Sequence, residues 1–513
     1  MKRVGVWLCV LALALPAAVL PSPRLACAAA AADLRTIPKK DRPGIRYLLR
    51  NARNNADLDL ALTLQLNLLS REGKPAAPVL VTPWLYRINL GHFDLPLHVW
   101  ERLARTDVFF HHPRKYLVSV TDDEVWPGGS VRSGRFFERG VYLVKRRPGQ
   151  TVRGEPAFWL DPDDISYLRL QTYSEAPILD AAWFVVQTAR QLSIRNEEEG
   201  TGYYDFMGFK DRKAFLDFVG LREKDAIKRL QEWRAVIERS GVSQQNRQVV
   251  RFRGTTGPVW VTLDVFKQAG RGVARRNLRR DEFAHDAEEW FGFNYFGLPV
   301  TFLADAKGVA QASAPDKVGG DSSPLNVGRD SRIHANLSCI RCHGARLKDD
   351  RWLRSLDDWT RRNDRLRLQD PNPKVALELA RQYMSDLNWE LNRDRDRYAR
   401  AAALVSRTKA KPAGLTIYEL SLAYSRMWND YVEAPVTLVD AAREWGVTPA
   451  RLVRSLRLLE TYKGGSDLVL SSYLDNPPQP LTRLEFEDSY ALGAALIRGV
   501  IPVELIEKHR LRR

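Results

Sequence analysis

The hydrophobic positions in the central part of the chain follow the two periods that distinguish helices from strands. Between residues 210 and 240, large apolar side chains recur every three or four positions, which predicts one amphipathic helix ending at Gly241. Short runs rich in Val, Trp and Phe instead predict strands, at residues 248–252, 258–266 and 298–304. We therefore expect an antiparallel sheet flanked by helices in this region.

Three segments nearer the N-terminus also have hydrophobic patterns that predict secondary structure. Leucines recurring among Asn and Asp predict one helix over residues 33–70. Residues 141–146 predict a strand, and the apolar run within residues 177–192 predicts a buried helix or strand.

Beyond Pro373 the pattern becomes helical. It predicts helices at residues 374–408, 415–432, 437–445, 448–460 and 483–498. The charged run Arg393–Arg397 predicts a solvated helix face. We expect a helix-rich α+β fold, in which a mixed region at residues 32–370 carries the antiparallel sheet and an all-α domain follows at residues 371–513.

The first residues have the layout of an export signal. Lys2 and Arg3 precede an apolar stretch, and an alanine run with several small-residue cleavage options follows. This predicts a signal peptide at residues 1–31 and an exported protein of the periplasm or cell envelope. An uncleaved anchor is the alternative, which Pro16 weakens. A lipid anchor on Cys27 is disfavoured by Arg24.

Composition narrows the class of protein. The 513 residues are 44% hydrophobic, which supports a folded core of two to four domains at roughly 100–200 residues each. Four cysteines are too few for a disulfide scaffold. The net charge of +17 favours acidic partners or anionic surfaces, so peripheral membrane contact is compatible with the sequence.

Two cysteines lie outside the predicted leader, and they form a recognisable motif. Cys339 and Cys342 are followed directly by His343, which gives the C-x-x-C-H spacing of a c-type haem attachment site. Two intervening residues let the thiols reach both vinyl groups of one haem, and the histidine then becomes the proximal iron ligand. The motif predicts one covalent haem c.

Three alternatives for this motif stay open. A structural zinc site would need four ligands, and no second C-x-x-C or His pair accompanies the motif. A thioredoxin-like pair would follow a strand, whereas residues 319–336 are polar and glycine-rich. A plain disulfide would not require His343.

The chain resembles an uncharacterised family of large exported bacterial proteins with a single C-x-x-C-H. The similarity is sharpest on the approach to the motif and weaker around residues 441–458. The matching pieces are Ala181–Val185, Arg239–Arg247, His285, Asp286, Glu289, Phe296–Leu298, Ala304–Gly308 and Ser338–His343. Ala287 and Glu288 depart from it, since they replace two family glycines. The resemblance implies a cytochrome-c-like haem segment at about residues 280–350, without an established reaction.

The distal side of the iron has several candidates. His285 precedes the strand that leads to the motif and matches the family, so it is the favoured distal ligand. His334 would require a sharp loop, and an open sixth position is a further alternative. Met384 and Met427 lie at helical spacing among apolar residues and are expected in the core. Three arginines flank the motif and are either partners of the haem propionates or solvated side chains: Arg332, Arg341 and Arg346.

Electron transfer to or from a redox partner protein or membrane complex is the leading function. A peroxidase-like enzyme, with His285 and Glu289 beside an open iron position, is the alternative. A third hypothesis is a binding or scaffold protein, because residues 437–460 resemble a helix-turn-helix. Export argues against nucleic acid as the partner, so we expect this hairpin to serve packing or the docking of a partner protein.

Overall fold

The computed structural model describes most of the chain. The described residues are 23–71, 74–107, 117–120, 142–145, 162–191, 201–228, 232–237, 247–264, 285–314, 320–321, 323–326, 331–346, 354–355, 387–407, 411–457, 459–461, 468–497 and 501–502. The first 22 residues of the predicted signal peptide and the predicted domain boundary near residue 370 lie outside them.

Helices make up the larger part of the described secondary structure. They are α1 Pro23–Thr36, α2 Asn55–Leu69, α3 Leu97–Ala104, α4 Pro162–Thr172, α5 Ala181–Thr188, α6 Tyr203–Met207, α7 Arg212–Phe218, α8 Glu223–Lys228, α9 Leu337–Arg346, α10 Leu387–Val405, α11 Ile417–Val432, α12 Leu438–Glu444, α13 Pro449–Leu456 and α14 Arg483–Ile497.

The described strands form three sheets. They are β1 Ile45–Leu49, β2 Val79–Thr82, β3 Leu85–Asn89, β4 Leu117–Val120, β5 Tyr142–Lys145, β6 Ile178–Asp180, β7 Glu232–Ile237, β8 Arg247–Arg253, β9 Pro258–Asp264, β10 Ala287–Phe293, β11 Pro299–Asp305, β12 Arg354–Ser355 and β13 Ile501–Pro502. The largest sheet is antiparallel throughout, in the order β11-β10-β9-β8-β7-β12. The others have the orders β2-β3-β1-β6 and β13-β5-β4.

The predicted fold class is confirmed: the protein is a helix-rich α+β protein with a central antiparallel sheet. The strands expected at 248–252, 258–266 and 298–304 are β8, β9 and β11. Residues 177–192 contain both predicted alternatives, because the strand β6 leads directly into the buried helix α5.

The single helix predicted over residues 210–240 is wrong. The chain forms α7 and α8 and then the strand β7, which pairs with β8 along six residues. Gly220 has a φ of 63° between the two helices, and a Cβ there would collide with the Thr255 side chain. Long-range strand pairing therefore overrides the helical spacing of apolar residues at 232–237.

The single helix predicted over residues 33–70 is wrong, and the helix predicted over residues 374–408 is described only in part. Residues 33–70 contain the end of α1, the strand β1 and then α2, rather than one helix. The helix predicted from residue 374 begins at Leu387 among the described residues, and residues 374–386 lie outside them. The remaining C-terminal helices correspond to α11–α14, except that α13 ends at Leu456.

The charged run on α10 is only in part the solvated face that its composition predicted, since Arg393 and Asp396 are exposed but Asp394 is not. Asp394 is buried and accepts hydrogen bonds from the Arg251 guanidinium at 3.0 Å and the Trp260 indole at 2.9 Å. Arg397 stacks on Phe293 and donates to a backbone carbonyl. These contacts fix α10 on one face of the large sheet.

Helix α1 crosses the predicted end of the signal peptide at residue 31. Its residues Ala26, Cys27, Ala30 and Ala31 are completely buried. Cleavage after residue 31 would divide this helix and remove these side chains from the core. The boundary stays a prediction. No helix among the described residues is both long and apolar enough to cross a membrane.

Candidate haem-attachment site

The C-x-x-C-H motif lies on helix α9, which follows the large sheet. Asn336 precedes the helix with a φ of 66°, a left-handed conformation that Asn tolerates better than most residues. Its backbone N–H donates to the Thr301 hydroxyl at 2.8 Å, and its side-chain amide donates to the Ala189 carbonyl at 3.0 Å. These bonds attach the start of α9 to β11 and to the end of α5.

The helical spacing places the two thiols and the imidazole of the motif close together. Cys339, Cys342 and His343 stand at positions i, i+3 and i+4, which lie on one face of a helix. Both cysteines are free thiols. The donor set therefore fits a haem held through two thioethers with an imidazole on its iron.

The two thiols have different environments. Cys339 is buried and hydrogen-bonds with Thr301, whereas Cys342 is partly exposed. Burial, followed by the charge of Glu289, raises the pKa of the Cys339 thiol well above its usual range. This thiol is therefore protonated at neutral pH, which makes spontaneous oxidation or metal capture at Cys339 unfavourable.

The imidazole of His343 is held against the sheet. Its ring stacks on Phe291, with the ring centroids 4.6 Å apart and the planes 21° from parallel. Burial lowers the pKa of His343, and the nearby Glu289 opposes this shift. The imidazole is therefore neutral at pH 7, which is the form that binds a metal ion.

The other side of α9 packs closely on α11. A Cβ on Gly344 would overlap the side chain of Ser421, so glycine is required for this approach. Arg341 is buried there, where it donates to the Asn429 side chain at 2.9 Å and lies over the Trp428 ring. α11 packs in turn against α2, through the hydrogen bond from Tyr424 to Gln65 among others.

We expect Gly344→Ala to lower the free energy of unfolding by about 1–3 kcal/mol, because the added methyl group overpacks the α9–α11 contact. Urea denaturation followed by circular dichroism measures the change. The double variant Gly344→Ala/Ser421→Gly is the matched control, and it should recover part of the loss. Wild-type stability of the single variant would contradict the close packing of these helices.

The charged residues next to the motif belong to β8, β9 and β10. Arg247 Nη2 lies 2.6 Å from a carboxylate oxygen of Asp264 and 2.6 Å from one of Glu289. Side chains alternate between the faces of a strand, so Glu289 shares the face of Phe291, which contacts His343. We call Arg247, Asp264 and Glu289 the Arg247 cluster.

The expected distal role of His285 is not supported. Its Nε2 lies 2.9 Å from Glu288 Oε1, and Glu288 also accepts a hydrogen bond from the Trp290 indole. Glu288 and Trp290 lie on the sheet face opposite Phe291, because they alternate with it along β10. The sheet therefore separates the carboxylate partner of His285 from His343.

The other residues proposed around the haem occupy varied positions. Met427 is buried in the core, as expected, and Met207 is buried as well, whereas Met384 lies outside the described residues. His334 is buried just before α9. The propionate role proposed for Arg341 is disfavoured, because its guanidinium points to α11. Arg332 is exposed, and the side chain of Arg346 is not described.

The described residues give little support for a zinc site as the alternative to haem. Within them, no group of three or more His, Cys, Asp or Glu side chains converges as a metal ion requires.

The helix-turn-helix-like hairpin α12–α13 packs its apolar side inward: Trp445 stacks on Tyr490 of α14, and Leu452 is completely buried. These contacts give the hairpin a packing role.

Comparisons with family models, curated protein sequences and solved structures found no match to this chain. The resemblance to the exported C-x-x-C-H family therefore remains a prediction from the sequence.

Proposed function

We propose that this chain is an exported c-type cytochrome with one haem, attached through Cys339 and Cys342 and bound at its iron by His343. It transfers electrons to or from a partner protein or membrane complex in the periplasm or cell envelope. The observation that carries the proposal is the placement of two free thiols and a neutral imidazole on one face of α9. When bound, the haem supplies a one-electron couple.

The residues around the motif support this role by fixing its orientation. Thr301 and Asn336 attach the start of α9 to the sheet, and Gly344 allows the close contact with α11. Phe291 holds the plane of the His343 ring. A ligand whose ring is fixed before the metal binds loses little conformational entropy and keeps a constant geometry in both oxidation states.

Electron transfer is favoured over the peroxidase-like alternative. A peroxide-cleaving site needs an acid–base pair on one side of the iron, and the sequence offered His285 with Glu289. His285 bonds instead to Glu288, whereas Glu289 pairs with Arg247 on the opposite face of the sheet. The two proposed groups therefore do not form one site.

The direct test is to express the full chain in a bacterial host that matures c-type cytochromes. We expect the purified protein to carry the mass of one haem after denaturation, and its alkaline pyridine spectrum to be that of haem with two thioether bonds. A purified protein that lacks the adduct would overturn the proposal. A mass lower by the two thiol hydrogens would identify a disulfide instead.

A further inference from the structure

Strand β10 gives its two neighbouring glutamates different environments. Glu289 faces α9 together with Phe291, and its charge acts on both the Cys339 thiol and the His343 imidazole. Glu288 faces the other side, where it pairs with Arg212 and His285. Two adjacent carboxylates of one strand therefore differ in whether they act on the motif.

The Arg247 cluster keeps Glu289 ionised. Arg247 and Asp264 are almost completely buried, and the Arg247 guanidinium pairs with both Asp264 and Glu289. Burial of Glu289 opposes its ionisation, but the charge and the hydrogen bond of Arg247, together with the charge of His343, outweigh this effect and lower the pKa of the glutamate. Glu289 therefore keeps a negative charge on the sheet face that His343 contacts.

We propose that the ionised carboxylate of Glu289 lowers the reduction potential of the haem, because it places negative charge near the His343 ligand. This inference rests on the proposed function. Oxidised haem iron carries one more positive charge than reduced iron, so nearby negative charge stabilises the oxidised form. Partial burial makes this interaction stronger than it would be in water, because the effective dielectric constant is lower.

The test compares two isosteric substitutions in the haem-loaded full chain, Glu289→Gln and Glu288→Gln. Glu289→Gln should raise the midpoint potential and favour the reduced form about tenfold, which corresponds to about 59 mV for one electron. Glu288→Gln is the matched control, with a shift well below this. Both variants should lose thermal stability, because each removes a carboxylate from an ion pair. Spectroelectrochemical titration gives the potential.

Equal potentials for the two variants, or no rise for Glu289→Gln, would overturn the inference while leaving the haem itself in place. If Glu289→Gln fails to fold, Asp264→Asn replaces it, and this variant should raise the potential in the same direction. An unchanged or lower potential for Asp264→Asn would then overturn the inference. Absence of covalent haem from the wild-type protein would instead end the proposed function, and with it this role for Glu289.

Discussion

Replacing both Cys339 and Cys342 by alanine is expected to abolish covalent haem, because each thiol supplies one of the two thioether bonds. The exported variant should have the mass of the polypeptide alone and no haem absorption after denaturation. Single substitutions should leave one thioether and shift the pyridine spectrum towards longer wavelength. Cys339→Ala should also cost more stability than Cys342→Ala, because Cys339 is the more deeply buried thiol.

Cys27→Ala tests whether the remaining described cysteine contributes to attachment. Cys27 lies outside the motif and within the predicted signal peptide, and it forms no disulfide. This variant should keep its full haem content whether or not the leader is removed. Haem that survives denaturation of the Cys339→Ala/Cys342→Ala variant would show that another residue forms the covalent bond.

The second large effect is expected from His343→Ala. The thioether bonds remain, so the haem should stay attached while the iron loses its imidazole ligand. We expect the absorption spectrum to change, because the iron loses a strong-field ligand. The oxidised-to-reduced ratio should change more than tenfold, which is more than about 59 mV for one electron. Optical spectra in both oxidation states, followed by a redox titration, measure these changes.

His285→Ala is the comparison that makes this experiment decisive for the iron ligands. Because His285 bonds to Glu288 on the opposite sheet face, its removal should leave the spectrum and the potential close to those of the wild type. If His285→Ala instead reproduces the loss of a ligand, the sheet-face assignment is wrong and His285 binds the iron. Added imidazole should bring the spectrum of His343→Ala back towards that of the wild type.

Local patterns predicted much of the secondary structure. The helices α11 and α14 begin and end within a few residues of the predicted limits, because amphipathic spacing coincides with caps such as the Thr416–Glu419 capping box. The strands β8, β9 and β11 were predicted for a similar reason, since they are short apolar runs. In these segments local preference and tertiary packing agree.

Other segments were mispredicted because distant partners decide their structure. Residues 232–237 carry apolar residues at helical spacing, but their backbone pairs with β8. Strand β10 was not predicted, because two glutamates followed by two aromatic residues give no alternation of polar and apolar positions. Asp394 appeared to belong to a solvated charged run, yet it binds Arg251 and Trp260 beneath α10.

The sequence by itself determined the helix-rich α+β class and the proposed chemistry, because the spacing of Cys339, Cys342 and His343 is local and one helical turn is enough to bring these groups together. The tertiary structure decided which other residues act on them. Strand pairing fixes which side chains share a sheet face, so Phe291 and the Arg247 cluster lie on the side of His343 and the carboxylate partner of His285 lies opposite. The register of paired strands depends on contacts between residues far apart in the chain, so a short sequence motif does not predict it.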